Sequence, residues 1–568
     1  GTGRADKPFG RDRRKYGTLE LGEIKPSLEG RWIVDTLDGE VEVTTVFELL
    51  KEESENYKPE KASEITGVSA KVIEKTAKIF ADADPGMIYA GYASCKWLHG
   101  DLLQRAMLLL LALTGSTGKE GGGLQIANSP NARGLTQFGF SDVGPAFRLI
   151  SSTTWDYDHA DMKELNQKIY GNDLAEKFDR YYKKSIEEDW FPDYSKNGWK
   201  MGFFAGNNGA NWRATGSTWR KTAFEELETI VSLAPDMGVT SLYSDYVLPI
   251  AHHYERNDLM LQSRVPYLQV LNEAVPPLGE AVDDWEANRR LAEAISRRAK
   301  ERNIKPIQDA VDGRTVRRDY TKTLELYTMG GRVNNSKDVA QFIINASHGI
   351  PKISFEELSQ KGIVKVEGVE STMWEKDESP YHNEIVKSVK KKLPYETFTG
   401  RQQFYIDHEW FIEFGETLPT FKEPLKIDEF PLRMMMGHAR HGIHSTWRDD
   451  SFLLSLQRGE PDIYVNPDDA TNRGVQDGDM IRVYNTAGEF FAMAHVSSGI
   501  QPGMLFMYHG WDPKMFKGDK NFSEVIPTGG LIKPTSMAGD YGHLGYQPLA
   551  FAPNQTYKDF TCDFEKSA

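Results

Sequence analysis

Short apolar runs that end in a turn and give way to a helical pattern recur along this chain, and that alternation limits the folds open to it. Residues 87–89 form such a run. The loop Gly91-Tyr92-Ala93-Ser94 follows, then a helix over 102–113 with Asp101 at its start and Gly115 at its stop. Residues 201–205 repeat the pattern, with Gly206-Asn207-Asn208-Gly209-Ala210-Asn211 leading to a helix from Ser217. A third run, 229–234, ends in Pro235-Asp236, and a fourth lies at 246–250. Strands separated by helices pair in parallel, with helices covering both faces of the sheet. Ligands of such sheets bind beyond the carboxyl ends of the strands, where these loops lie.

The rest of the chain divides around this region. Residues 1–65 are polar and uneven, with short strands at 32–34 and 41–46, and read as a linker or the remnant of a preceding domain. Residues 63–82 read as a helix, since Ile73, Ala77 and Ile79 recur at near-helical spacing. The α/β region is 66–300. Residues 114–123 are too glycine-rich for regular structure, and 150–198, rich in Asp, Lys and Tyr, read as a surface insertion. Residues 301–428 are mixed and charged, without a clear period. From 429 to 568 the texture changes to short, evenly spaced strands at 432–436, 462–465, 480–484, 490–496 and 504–508, the pattern of a β-barrel. The expected fold is thus a multidomain α/β protein with a C-terminal barrel.

Composition removes several function classes. The formal charge of −15 argues against a general nucleic-acid binder, which needs a basic face. The longest apolar run, 106–113, is far short of the roughly 20 residues that span a bilayer. There are two cysteines, Cys95 and Cys562, so this chain alone builds neither a four-cysteine iron–sulfur site nor a cysteine-rich zinc site. Each reads as a free structural thiol. The sequence opens on Gly1 with no signal-peptide pattern, so it starts after processing or is a fragment.

Five motifs carry candidate chemistry. The loop 206–211, followed by Trp212 and Arg213, offers close backbone approach and a guanidinium fork to a phosphate. It also fits an ordinary strand–helix loop, since its spacing is neither that of a Rossmann fingerprint nor that of a P-loop. Asp236 at a strand end can take a ribose hydroxyl or a guanine edge, and equally fits a solvated loop aspartate. His252-His253 with Glu255 and Asp258 resembles a metal set only superficially, because adjacent residues on a strand point to opposite faces. The fourth motif is Gly437-His438-Ala439-Arg440-His441-Gly442-Ile443-His444-Ser445-Thr446-Trp447-Arg448, which follows a strand. Three histidines, two arginines and a tryptophan in twelve residues suit a large anionic heterocyclic ligand. A surface loop with incidental histidines is the alternative. The fifth, Ile532-Lys533-Pro534-Thr535 with residues 539–546, is not diagnostic alone.

Taken in order, these motifs resemble the molybdopterin oxidoreductases of the dimethyl sulfoxide reductase superfamily. The branch is that of nitrate, selenate and perchlorate reductases, dimethyl sulfide dehydrogenase and ethylbenzene dehydrogenase. Trp97-Leu98-His99-Gly100-Asp101 with Arg105, Gly118-Lys119-Glu120-Gly121-Gly122-Gly123, Leu242-Tyr243-Ser244-Asp245, and Leu456-Gln457-Arg458-Gly459-Glu460-Pro461 carry the resemblance with the fourth motif. It implies split Rossmann-like cofactor domains and a molybdenum bis(molybdopterin guanine dinucleotide). Asn208, Asn211, Arg213, Asp236 and Thr240 would face one guanine dinucleotide. Arg440, His441, His444, Ser445 and Trp447 would line pterin and phosphates, with Lys533 and Thr535 near. Trp97, His99 and His441 would be the groups closest to the chemistry, and no residue here would ligate the metal.

The departures shape the remaining expectations. The branch's cysteine/histidine set for a [4Fe–4S] cluster and its aspartate ligand to molybdenum are not found here, so the chain resembles the C-terminal portion of a large subunit lacking roughly its first two fifths. Half of each split domain would come from that missing part, and exposed apolar faces are expected without it. The resemblance implies an iron–sulfur β subunit, a haem-binding γ subunit and a periplasmic location, with a cytoplasmic one also open. The implied activity is water-dependent hydroxylation or oxidation of a hydrocarbon or sulfide. The alternatives are oxyanion reduction by oxygen-atom transfer and a non-catalytic scaffold relative.

Overall fold

The computed structural model describes residues 22–91, 99–119, 121–126, 171–187, 200–212, 216–261, 267–311, 314–347, 350–366, 402–406, 415–424, 429–440, 444–527 and 558–567, with isolated positions such as Trp97 between them. An antiparallel hairpin opens it, β1 (Arg31–Thr36) on β2 (Gly39–Thr44), followed by α1 (Val46–Ser54). The single helix expected over 63–82 is two, α2 (Pro59–Thr66) and α3 (Ala70–Asp82). Gly67 divides them at φ 72°, a left-handed cap that glycine adopts without steric cost.

The alternation then becomes two parallel sheets. The first pairs β3 (Met87–Ala90) with β4 (Gly123–Ile126), with α4 (Gly100–Leu113) between them in sequence. Here Asp101 lies in the first turn of α4 rather than capping it, and His99 is the cap residue. The helix α5 (Asn172–Glu187) belongs to the expected insertion. The second sheet has the order β5–β6–β7, from β5 (Met201–Ala205), β6 (Thr229–Ala234) and β7 (Tyr246–Pro249). Three short helices follow its strand ends: α6 (Gly209–Trp212), α7 (Gly216–Lys221) and α8 (Val239–Leu242). The loop expected over 206–211 is therefore helical from Gly209.

Central β6 is buried on both faces, as a parallel strand between helices must be. Ile230 packs with Ala210, Ala223, Phe224 and Val239 on one side. Val231 and Leu233 pack with Ile250 and Ala287 on the other. Ala287 belongs to α9 (Asp284–Glu301), whose start Asp283 caps by accepting from Glu286 N.

A further sheet joins residues on both sides of position 300. β8 (Asp258–Leu261), β9 (Tyr267–Leu271) and β12 (Ile363–Lys365) form an antiparallel sheet of order β12–β9–β8, so this sheet runs across residue 300. It packs on α10 (Ser336–Ala346) and α11 (Phe355–Lys361) through Leu268, Ile344 and Leu358. Between its strands in sequence lies a second hairpin, β10 (Ile307–Val311) with β11 (Arg314–Arg318).

The C-terminal strands close a barrel in the order β13–β17–β14–β16–β15–β18. Its members are β13 (Leu432–Gly437), β14 (Asp462–Val465), β15 (Met480–Tyr484), β16 (Glu489–Val496), β17 (Met504–Tyr508) and β18 (Thr561–Lys566). Alternate residues point inward along each strand; Leu432, Met434, Ile463, Val465, Ile481, Val483, Phe490, Leu505 and Phe564 fill the interior. Each such side chain contributes about 1.5–3 kcal/mol on burial. Cys562 joins this core as a free, buried thiol; Cys95 lies outside the described residues.

Several large apolar side chains are exposed. α3 buries no residue, and Met87 and Tyr89 on β3, Leu110 and Leu113 on α4, and Met201 and Phe203 on β5 are open to solvent. No described helix is long and apolar enough to cross a membrane.

Candidate cofactor-binding site

The carboxyl ends of β5 and β6 face the loop that follows β13, and polar side chains from both sides meet there. Gly206, at φ 59°, turns the chain out of β5 and brings Asn208 to the sheet end. Asn208 Oδ1 accepts from Thr240 N at 3.0 Å and from Thr240 Oγ1 at 3.2 Å. Its Nδ2 donates across to Ser445 Oγ at 3.3 Å. Thr240 Oγ1 also accepts from Ala210 N at 3.2 Å, which ties α6 to α8.

Beyond β6, Asp236 reaches the same place. Its Oδ2 accepts from Arg448 Nη1 at 3.0 Å, while its side chain stays 57% exposed. Arg448 is buried and held on three sides. Its Nε donates to Asp512 Oδ2 at 2.8 Å and its Nη1 also donates to the Ser445 carbonyl at 3.1 Å. Burial opposes the guanidinium charge, but Asp512 and Asp236 outweigh it and raise its pKa. Burial pushes the Asp512 carboxyl up, and Arg448 pulls it back. Asp512 Oδ1 accepts from Asn211 Nδ2 at 3.1 Å, and Asn211 Oδ1 accepts from Asn521 Nδ2 at 2.8 Å.

A cluster of imidazoles lies beside this network. The rings of His438, His444 and His509 sit with centroids 4.5–5.4 Å apart. Their ring nitrogens lie within 4.8 Å of one another. Burial, then His438 and Lys96, lower the His444 pKa, which favours a neutral ring able to donate and accept. Lys558 donates to the Met436 carbonyl, and burial followed by Lys96 lowers its pKa too. Trp447, 49% exposed and at φ 60°, presents its ring 5.9 Å from that of His252. Arg440 is exposed nearby in sequence.

The sequence-derived candidates thus separate into groups. Asn208, Asn211, Asp236, Thr240 and Ser445 converge, with His444 and Trp447 on the same loop. Asn211 and Thr240 are 2% exposed and spend their hydrogen bonds on neighbouring loops. Both side chains were expected to face a dinucleotide; in this structure they brace the loops on which Asn208, Asp236 and Ser445 lie. Trp97 sits under the Arg433 guanidinium at 5.6 Å, and Arg433 pairs with Asp559 at 3.0 Å. His99 Nδ1 lies 3.5 Å from buried Glu416 Oε1, which Lys422 also approaches at 3.2 Å. Arg213, His441, Lys533 and Thr535 lie outside the described residues. At His252-His253, Glu255 accepts from His252 N, a local turn contact.

Sequence reasoning missed Asp512, Asn521 and His509 as site residues, and it placed His438 and Arg448 in the fourth motif without giving either a role of its own. One signal was available: Asp512 follows a strand just as Asp236 does. Nothing local marks Arg448 as the residue that joins them.

These residues fit an anionic dinucleotide. Asp236 Oδ1 takes no hydrogen bond among the described residues and is an acceptor for a base edge. Arg448 Nη2 is buried and takes no hydrogen bond among the described residues. Trp447 offers a stacking face, and the imidazoles, with Lys96 and Lys558, supply donors to an anion.

Comparison with known proteins agrees. The family model for molybdopterin oxidoreductase matches residues 40–294, and that for the molydopterin dinucleotide binding domain matches 432–536. Perchlorate reductase subunit alpha of Dechloromonas aromatica is 34% identical over 97% of this chain and 59% of its own length. Dimethylsulfide dehydrogenase subunit alpha of Rhodovulum sulfidophilum is 32% identical over 99% of this chain and 62% of its own. Respiratory nitrate reductase subunit alpha of Haloferax mediterranei is 32% identical over 97% of this chain and 57% of its own. This chain therefore spans about three fifths of the length of the curated relatives it matches. Acetylene hydratase from Pelobacter acetylenicus shares the fold, with a TM-score of 0.58, 18% identity, and coverage of 92% of this chain and 66% of that one. With the two family models together taking in more than half of its residues, the chain belongs to the molybdopterin oxidoreductases of the dimethyl sulfoxide reductase family, whose cofactor is molybdenum bis(molybdopterin guanine dinucleotide).

Proposed function

We propose that the chain is the dinucleotide-holding part of a catalytic subunit that moves an oxygen atom between water and a substrate. The meeting of Asp236, Arg448 and Ser445 at the strand ends, beside the imidazole cluster, carries this reading. The cofactor supplies the oxygen-transfer and redox chemistry. The protein's share is placement: Asp236 accepts from the guanine edge, Arg440 and the imidazoles of His438, His444 and His509 hold phosphate and pterin donors and acceptors, and Trp447 stacks. Asn208, Asn211 and Thr240 hold the loops. Trp97 and His99 we place nearer the substrate channel, with Glu416 orienting His99. An iron–sulfur subunit, a haem subunit and a periplasmic location complete the proposal.

For the substrate, we favour oxidation of an uncharged hydrocarbon or sulfide. The text of residues 442–450 resembles the dehydrogenases of the branch, one relative is a dimethylsulfide dehydrogenase, and the net charge of −15 repels oxyanions. Oxyanion reduction is the second reading. It is favoured by the perchlorate and nitrate reductase relatives and by the cations Lys96, Lys558 and Arg440 around the imidazoles.

Two measurements test the proposal. Molybdenum and acid-released guanine nucleotide in the freshly isolated native complex should both be present, with two nucleotides per large subunit; absence of both defeats it. Dye-linked anaerobic assays should then show oxidation of sulfides or hydrocarbons, and turnover of oxyanions alone would reverse the direction.

A further inference from the structure

The Asp236 carboxylate is half of a fixed arrangement. One of its oxygens is engaged by Arg448 and the other takes no hydrogen bond among the described residues. An exposed aspartate on a loop samples several rotamers. Arg448 removes that freedom, because the guanidinium is itself immobile. Its side chain is 3% exposed, its Nε is held by Asp512, and its Nη1 is shared with the Ser445 carbonyl. Asp512 is 1% exposed and is held by Asn211, which Asn521 holds in turn. The chain Asn521–Asn211–Asp512–Arg448–Asp236 therefore runs from the barrel to the end of β6 without a break.

A single charge-assisted N–H···O bond from this fixed guanidinium pins Oδ2 of Asp236 and so restricts where its second oxygen can point. Each carboxylate oxygen has two lone pairs, so Oδ2 can hold Arg448 and still accept a second donor. The bound carboxylate thus offers two parallel acceptors to the cleft. Guanine presents two parallel donors, its ring N1–H and exocyclic N2–H. Hypoxanthine keeps the first and lacks the second. Adenine presents a donor beside an acceptor, which a carboxylate repels.

We propose that Arg448 is a positioning residue that holds Asp236 as a two-oxygen acceptor and thereby sets the selectivity of the cleft for guanine nucleotides. The inference rests on the reading of this cleft as the nucleotide end of the cofactor site.

The test is calorimetric titration of the full chain, free of cofactor, with GDP, IDP and ADP. The wild-type chain should bind GDP at least about tenfold more tightly than IDP, the worth of one hydrogen bond to a charged acceptor, and ADP more weakly still. Arg448→Lys keeps the charge and loses the simultaneous contacts to Asp512, the Ser445 carbonyl and Asp236 that hold the guanidinium in place. It should weaken GDP by roughly fivefold to tenfold and draw the GDP-to-IDP ratio toward one, with IDP and ADP nearly unchanged. Asp512→Asn, one link back, should shift the ratio the same way and serves where Arg448→Lys does not fold, as judged by its melting midpoint. Asp236→Asn should abolish the ratio. Equal weakening of all three nucleotides by Arg448→Lys, or an unchanged ratio, overturns the positioning role. Failure of the wild-type chain to bind GDP overturns the cofactor reading itself, and the inference with it.

Discussion

A Cβ placed on Gly510 would lie 1.9 Å from the carbonyl oxygen of His444, so the segment after β17 and the loop after β13 meet main chain to main chain. Gly510 has φ 98°, His444 φ 53° and Trp447 φ 60°, so a strained loop is clamped against a residue that must lack a side chain. Substituting Gly510 with Ala adds a backbone collision to an unfavourable φ. The expected cost is about 2 kcal/mol or more, read as a lower thermal midpoint with altered Trp447 fluorescence. An unchanged midpoint would show that the loop can retreat freely.

The parallel sheet and the barrel are also joined through Glu524. Its carboxylate accepts from Ser217 N at 3.0 Å and from Ser217 Oγ, and lies 3.5 Å from Arg220, with both charged side chains nearly fully buried. Glu524→Ala leaves the Arg220 charge uncompensated and should cost about 3–5 kcal/mol in urea denaturation. The double substitution Arg220→Met with Glu524→Leu should recover much of that. A double variant as unstable as the single one would mean the loss is packing rather than charge.

Helix α9 carries a pH-dependent term. The Arg289 side chain holds the Glu286 carboxyl down at about 2; burial opposes it, and Arg290 adds to the lowering. A carboxyl depressed in the folded state stabilises the fold above its unfolded pKa and loses that contribution as pH falls through the folded value. The contribution should therefore fade between about pH 4.5 and about pH 2. Solvent screening reduces it to about 1 kcal/mol. Comparing acid titrations of the wild-type chain and Glu286→Gln by circular dichroism checks this: the variant should lack the loss over that window.

Cys562 sits in the barrel core with its thiol pKa raised, burial being the main cause and Asp563 adding to it. In a Cys95→Ser background it should resist a thiol reagent in the native state and react fully in denaturant. Rapid native labelling would place Cys562 outside the core.

The strands of the barrel and of the parallel sheets were legible because their periodicities are local. Alternation along 480–484 and 490–496, and the apolar run at 229–234, are properties of consecutive residues. The break between α2 and α3 was not read, although Gly67 marks it, since the helical period continues across the turn. Residues 301–428 resisted reading because β12 gains its pairing from β9, far back in sequence. The candidate site was legible only in outline. Asp236, Asn208 and Ser445 announced themselves at strand ends, but Asn211 and Thr240 look the same in sequence and turn out to be buried supports.

By itself, then, the sequence determined the alternating α/β region, the barrel, the family and the loops that would hold a large anionic cofactor. The α/β region and the barrel follow from short-range pattern, the loops from residue chemistry, and the family from the resemblance of the ordered motifs to known relatives. Only the tertiary structure decided which of those residues face the cleft and which brace it. Arg448 and Asp236 are 212 residues apart. No local pattern can link them, because their pairing exists only once the barrel packs against the sheet and removes both Arg448 and Asp512 from water.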